Sequence, residues 1–325
     1  MRTYTTVLAA LISLVIALIL TPLVRTLAIR LGIVAHPGGR RVHARATPLL
    51  GGVAMYLAFT LAVVFAVIYD PKLTFDRQVV GILLGGTFVA LVGVLDDKYE
   101  LPGWVQAATI VAGGVLLVLF GIEVRFVTNP FKGGWLMPLG LLTVPATIIW
   151  VLMVTKAVDC MDGLDGLAAG IAAICAGTLM MMARSVTHEP GLGYRMSNIM
   201  AAALMGAALG FLRSNYPPAK IFMGTVGAQF LGFMLAGVSI IGAFKLATLV
   251  AVAAPVLVLG VPLFDTTFVV LRRIVSGKRI HEADTSHLHH RLVDRGLSHR
   301  QVIWFIYALT FVLCAVAYIL FVYAK

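Results

Sequence analysis

Long apolar runs broken by short polar segments dominate this chain. A membrane-crossing helix needs about 20 mostly apolar residues. Ten stretches meet that requirement: 4–24, 50–69, 78–95, 104–121, 136–155, 164–183, 197–213, 227–243, 246–270 and 302–323. The runs are continuous and do not alternate, which predicts helices and excludes a β-barrel. The first run is too long for the core of a signal peptide and lacks a small-residue cleavage site, so it too is read as a helix. Neither an internal repeat nor a low-complexity segment is evident. The longest polar stretch, 271–301, is too short for a soluble module. Residues 1–325 are therefore expected to form one membrane-embedded domain of all-α, polytopic architecture.

Composition agrees with the pattern. Of 325 residues, 60% are hydrophobic and 12% are charged, whereas a soluble domain carries about 25% charged residues. A soluble enzyme is excluded. Cys160, Cys175 and Cys314 lie inside or beside apolar runs, so no disulfide framework is expected.

With ten spans, the loops 25–49, 96–103, 156–163, 214–226 and 271–301 share one membrane face. They carry most of the 25 Lys and Arg residues, which predicts a cytoplasmic face and places both termini outside. The net charge of +11 suits anionic lipid headgroups. No basic stretch is interleaved with aromatics, so nucleic acid is not an expected partner. The same face holds every histidine except His188 and most of the acids. Topology signals account for lysine and arginine there but not for carboxylates and imidazoles.

Three constellations stand out. Asp96-Asp97 closes span three, and adjacent carboxylates at the end of an apolar helix call for a cation or proton, unless cytosol simply wets the terminus. Asp159, Asp162 and Asp165 recur at three-residue spacing with Gly163 and Gly166 between and after them. On one helix opening span six they would line one side; acids at a helix start are also ordinary dipole partners. His287-Leu-His289-His290-Arg291 suits an anion better than zinc, because no cysteine partner is apparent and adjacent histidines diverge. Two weaker pieces are Arg41 and His43 before Pro48-Leu-Leu-Gly51-Gly52, and Lys220 before Gly224-Thr-Val-Gly227, where glycines admit either a phosphate or a packed helix. Carboxylates, basic residues and glycine turns on one face suit phosphoryl transfer between a soluble phosphate-rich substrate and a lipid. A transporter would place ionisable groups nearer the bilayer midplane.

In this order and on this face, the motifs resemble those of the polyprenyl-phosphate N-acetylhexosamine-1-phosphate transferases, the superfamily that includes phospho-N-acetylmuramoyl-pentapeptide transferase. The resemblance runs from about residue 22 to residue 310. It is carried by Arg40-Arg41-x-His43 with Pro48 and Gly51-Gly52; Asp96-Asp97-x-x-x-Leu101; Val127-Thr-Asn129-Pro130-Phe131; Asp162-Gly-x-Asp165-Gly-Leu-Ala-Ala-Gly170; Pro218-Ala-Lys220-x-Phe-Met-Gly224; and His287-Leu-His289-His290-Arg291-Leu292. The last motif, followed by Gly296-Leu-Ser-His-Arg-Gln301, looks like the undecaprenyl-phosphate GlcNAc-1-phosphate branch. The resemblance implies transfer of GlcNAc-1-phosphate from UDP-GlcNAc to undecaprenyl phosphate in the bacterial cytoplasmic membrane, with release of UMP. It implies Mg2+ as cofactor, with Mn2+ as the alternative. The product would serve teichoic acid, lipopolysaccharide O-antigen or another envelope polymer. Homodimerisation stays open. The alternatives are a catalytically impaired member with a scaffolding or regulatory role, and a phospho-MurNAc-pentapeptide transferase.

By the same resemblance, Asp96 or Asp97 is the base that deprotonates the lipid phosphate. Asp159 takes a metal position, with the Thr225 hydroxyl beside it directly or through water. Asp162 and Asp165 orient the nucleotide or a metal-bound water. His287, His289, His290 and Arg291 bind diphosphate or sugar, and Arg41 and His43 meet the lipid phosphate. Lys156 is not the family's residue; from its chemistry alone, its ammonium would bind a substrate phosphate or compete with the metal. The chain departs from the family pattern at Lys156 and Asp159, where Asn is usual, and at Thr225, where Asp is usual. It also departs at His36, where Asp is common, and at Gln106, where Lys is common.

Overall fold

The computed structural model describes residues 2–35, 46–128, 136–186, 192–242, 256–275 and 287–323. The helices are α1 (Arg2–Arg30), α2 (Gly51–Tyr69), α3 (Arg77–Tyr99), α4 (Gly103–Leu119), α5 (Thr143–Met161), α6 (Leu167–Ser185), α7 (Leu192–Asn215), α8 (Gly224–Gly242), α9 (Gly260–Val275), α10 (Leu288–Asp294) and α11 (His299–Tyr323). Strands among the described residues are confined to two antiparallel pairs. These are β1 (Val34–Ala35) with β2 (Thr47–Pro48), and β3 (Phe126–Thr128) with β4 (Leu136–Pro138). All helices except α4, α9 and α10 are long and apolar enough to cross a membrane, eight among the described residues. The protein is an all-α, polytopic membrane protein.

Two expected spans differ in their limits. The run expected over 136–155 begins as β4, and its helix starts only at Thr143 and continues to Met161. Pro138 and Gly140, the latter at φ 52°, bar an earlier start. Lys156 and Asp159 consequently sit on α5 itself and not in the loop after it. Helix α4 has 17 residues and stops at Leu119, with Gly121 in the left-handed region at φ 77°. The expected 246–270 span lies partly outside the described residues, and its described end belongs to α9.

Helix α8 is the central pillar. Its residues are almost all buried, and it packs against α2, α3, α5, α6 and α7. On the periphery, α1 turns Tyr4, Val7, Leu11, Val15, Ile19, Leu23 and Leu27 outward, a stripe at three- and four-residue spacing suited to lipid. Its other side lies against α7, where Gly206 and Gly210 let the backbones meet at Ala10 and Leu14. One end of the α1–α2–α7 group is locked by Asp70. Its buried carboxylate pairs with Arg195 at 2.9 Å and lies 3.4 Å from Thr5 Oγ1.

At the other end, the first amides of α2 are satisfied by the chain entering α8. Gly51 N donates to Phe222 O at 3.0 Å, Gly52 N to Met223 O at 2.9 Å, and Phe222 N returns to Pro48 O at 2.9 Å. A side chain on Gly52 would overlap the backbone of Val226 and Gly227. The paired glycines after Pro48 are thus explained by helix packing. Gly52→Ala is expected to destabilise the protein by ~2 kcal/mol or more through overpacking, read as a lower thermal midpoint in detergent. Gly103→Ala, whose added methyl meets nothing within 4 Å, is expected to leave the midpoint unchanged.

Candidate active site

The ends of α3, α5, α7 and α8, the turn between α5 and α6, and helix α10 surround a cavity of about 340 Å³. Asp97, Asp159, Asp162, Asp165, Thr225 and His290 line it, together with Asn215 and His299. Motifs separated by up to two hundred residues of sequence therefore share one space.

The adjacent acids have separate surroundings. Asp97 faces the cavity and also receives the start of α8: Thr225 N donates to Oδ1 at 2.7 Å, Val226 N lies 3.4 Å from Oδ2, and the Thr225 hydroxyl adds a third hydrogen bond. Gly224, at φ 69°, leaves room for the carboxylate where any Cβ would overlap it. Asp96 is buried and takes both its hydrogen bonds from Gln106 Nε2, at 3.1 Å each. Gln106 Oε1 in turn accepts from Lys156 Nζ at 2.7 Å, and Lys156 pairs with Asp159 Oδ2 at 2.8 Å. The departures at Gln106 and Lys156 are thus in direct contact.

The three spaced acids do not line one helix, contrary to expectation. Asp159 belongs to the last turn of α5, Asp162 is its C-cap, and Asp165 lies in the turn before α6. Helix α5 ends with Asp162 as its C-cap, and Gly166, at φ 78°, keeps α6 from extending back to Asp165. Asn215 fastens this turn, accepting from Gly166 N at 2.9 Å and donating to Ile221 O at 3.0 Å, while Asp165 Oδ2 accepts from Ala219 N at 2.9 Å. Tyr307 on α11 closes it from outside through Gly166 O at 2.6 Å.

Of the histidine motif, only His290 lines the cavity. His287 caps α10 and holds Asp265 Oδ2 of α9 at 2.8 Å, while Leu288 N donates to Asp265 Oδ1 at 2.7 Å. Cys160 also hydrogen-bonds His287, so a cysteine does reach this cluster. Burial opposes the charged imidazole, but Asp265 and Cys160 outweigh it and raise the His287 pKa to about 9. His289 is 1% exposed, with neither ring nitrogen hydrogen-bonded among the described residues, and it packs between His287 and His290 against Gly163. Burial, then the neighbouring histidines, lower its pKa to about 3. Arg291 points outward over the Phe268 ring, at 5.4 Å. Arg41 and His43 lie outside the described residues, as does His36.

No group of three or more His, Cys, Asp or Glu converges into a metal cage among the described residues. The lining is mostly oxygen, with four carboxylates, a hydroxyl and an amide, beside the imidazoles of His290 and His299 and without a thiolate. A set led by carboxylates is less suited to a closed structural zinc site, which is usually built from cysteine and histidine. It does fit Mg2+, which uses one or two carboxylates and completes its shell with water and substrate phosphate.

Sequence reasoning did not assign Asn215, Gln106, Asp265 or His299 to the site. Asn215 precedes Tyr-Pro-Pro, a turn signal, and Asp265 is an acid within an apolar run that needed a partner. Gln106 and His299 carry no sequence signal of their own beyond the resemblance.

The class of protein follows from the family: a transferase, here built as a polytopic helical membrane protein. The chain belongs to glycosyl transferase family 4, whose model matches residues 79–243. It is similar to a Bacillus subtilis (strain 168) protein named probable undecaprenyl-phosphate N-acetylglucosaminyl 1-phosphate transferase, at 36% identity over 319 residues, 97% of this chain and 84% of that one. A Mycobacterium tuberculosis (strain ATCC 25618 / H37Rv) decaprenyl-phosphate N-acetylglucosaminephosphotransferase is 33% identical over 302 residues, 87% of this chain and 74% of that one. The Escherichia coli (strain K12) undecaprenyl-phosphate alpha-N-acetylglucosaminyl 1-phosphate transferase is 25% identical over 281 residues, 85% and 73% of the two chains.

The two buried histidines make stability depend on pH in opposite directions. His287 is raised, so its contribution is complete below pH 6.5 and is lost as pH rises through about 9. His289 is depressed, so its contribution is complete above pH 6.5 and is lost as pH falls through about 3. The thermal midpoint in detergent is expected to fall between pH 6.5 and 9, and Asp265→Asn is expected to flatten that limb while leaving the acid limb in place.

Proposed function

We propose that the whole chain acts as one transferase domain that moves GlcNAc-1-phosphate from UDP-GlcNAc to undecaprenyl phosphate and releases UMP. The observation that carries this reading is the single cavity in which Asp97, Asp159, Asp162, Asp165, Thr225 and His290 meet. An oxygen of the lipid phosphate attacks the sugar-bearing phosphorus, a new P–O–P linkage forms, and the bond to UMP breaks. Asp97 takes the proton of the lipid phosphate. Its hydrogen bonds to Thr225 and Val226 hold it still, and a carboxylate retains further lone pairs for that proton. Asp159 would hold the divalent cation, Mg2+ or Mn2+, with Thr225 contributing through water, since its hydroxyl already serves Asp97. A bound cation supplies charge neutralisation across the diphosphate and the leaving UMP. His290 and His299 also line the cavity, where a sugar or diphosphate oxygen would be met by imidazole.

The test is UMP release by purified protein from a panel of UDP-sugars with undecaprenyl phosphate and Mg2+. UDP-GlcNAc is expected to be the preferred donor, and chelation is expected to stop turnover. Asp97→Asn is expected to reduce turnover about a hundredfold or more, with the fold kept because the amide oxygen still accepts from Thr225 N. Release from no UDP-sugar at all would instead support the scaffolding alternative.

The cavity end of the bundle faces the cytoplasm of a bacterial inner membrane in this reading, with both termini outside. Ser298 and Thr74 are both exposed and lie at opposite ends of the molecule. In intact cells, a membrane-impermeant maleimide should label Thr74→Cys and leave Ser298→Cys unlabelled over the wild-type background. The reverse pattern would invert the orientation.

A further inference from the structure

Gln106 sits in the middle of a polar chain that links three helices. From α4 its amide nitrogen donates to both oxygens of Asp96 on α3, and its amide oxygen accepts from Lys156 on α5. The orientation of this amide is forced, because a carboxylate only accepts and an ammonium only donates. Reversal would set NH2 against NH3+ and a carbonyl against a carboxylate. Lysine has a long flexible stem whose ordering costs rotamer entropy. Here two acceptors on different helices, Gln106 Oε1 at 2.7 Å and Asp159 Oδ2 at 2.8 Å, hold its tip in one place. An ammonium has three N–H donors, and these contacts use two. The Lys156 side chain keeps 28% exposure beside Asp159, which lines the cavity.

We propose that Gln106 is a positioning residue, and that the Lys156 ammonium it holds contacts a substrate phosphate at the cavity. The inference rests on the transferase reading. The phosphate belongs either to the nucleotide diphosphate or to the lipid monophosphate; the chemistry of recognition is the same. An amide and an ammonium in contact across two helices are exchangeable in principle. The reciprocal swap, Gln106→Lys with Lys156→Gln, returns one of each between the same two carboxylates. Gln106→Lys alone crowds two ammonium groups, and Lys156→Gln alone leaves none.

The experiment measures UMP release in wild type, the two single variants, the swap and Gln106→Ala, varying UDP-GlcNAc and undecaprenyl phosphate separately. Lys156→Gln is expected to raise KM for one substrate about tenfold, through loss of a charge-assisted hydrogen bond, with a smaller change in kcat. A change confined to UDP-GlcNAc assigns the contact to the nucleotide, and one confined to undecaprenyl phosphate assigns it to the lipid. Gln106→Ala is expected to raise the same KM by a smaller factor, and the swap to recover most of the kcat/KM lost in either single variant. Normal KM values for both substrates in Lys156→Gln, with a lowered thermal midpoint, would reduce Lys156 to a structural ion pair and overturn the proposal. So would a folded swap variant no more active than the single variants. If wild type releases no UMP from any UDP-sugar, the transferase reading fails separately. Binding of UDP and of undecaprenyl phosphate in micelles to wild type and Lys156→Gln then decides the matter. Weaker binding of either probe by Lys156→Gln supports the ammonium contact, and equal binding of both refutes it.

Discussion

The first turn of α8 is buried except where Gly224 and Thr225 border the cavity. The helix is buried from Gly224 to Gly242 apart from Thr225, which is only partly so, and its leading amides need an acceptor that the protein itself supplies. Asp97 is that acceptor. A carboxylate matches the positive end of a helix dipole, and Gly93 and Gly224 clear the space for α3 and α8 to meet there. Asp97 also opens onto the cavity. A group that secures the packing of the central helix is therefore the one best held for chemistry, and its rigidity comes from the fold without a separate device.

Charge balance organises the rest of the site. Four carboxylates line one cavity, an arrangement that repels itself unless donors are spread through it. Thr225 and Val226 serve Asp97, Lys156 serves Asp159, and Ala219 serves Asp165. The histidine motif divides its labour along the same principle. His287 carries charge against Asp265 and fixes α10 to α9, His289 stays neutral in the packed layer beneath, and His290 is left to face the cavity. Of the three imidazoles in the motif, one faces the cavity and two are held in the packing around it.

Much of the candidate site was legible because its residues are costly where they stand. Asp96-Asp97 at the end of an apolar helix, and Asp162 and Asp165 among glycines, are positions that burial would punish without a partner or a task. Gln106 and Asn215 were not legible in that way. Neutral amides carry no charge penalty to betray them, and each acts by joining segments distant in sequence: Asp96 to Lys156, and Gly166 to Ile221. The departures at Gln106 and Lys156 look unrelated along the chain and meet only in space.

Hydropathy alone determined the all-α membrane architecture, because crossing a lipid bilayer is a local demand that each helix meets by its own length and composition. The sequence likewise determined which segments carry the polar chemistry. Only the tertiary structure decided that Asp97 and not Asp96 lines the cavity, that the three spaced acids divide between a helix end and a turn, and that His287 meets Asp265 while His289 is buried. Those outcomes depend on which face of each helix end meets which neighbour. That choice is made by backbone breaks such as Gly166, by close approaches such as Gly52 on Gly227, and by the need to satisfy buried amides, all of which act across the bundle and leave no period in the sequence.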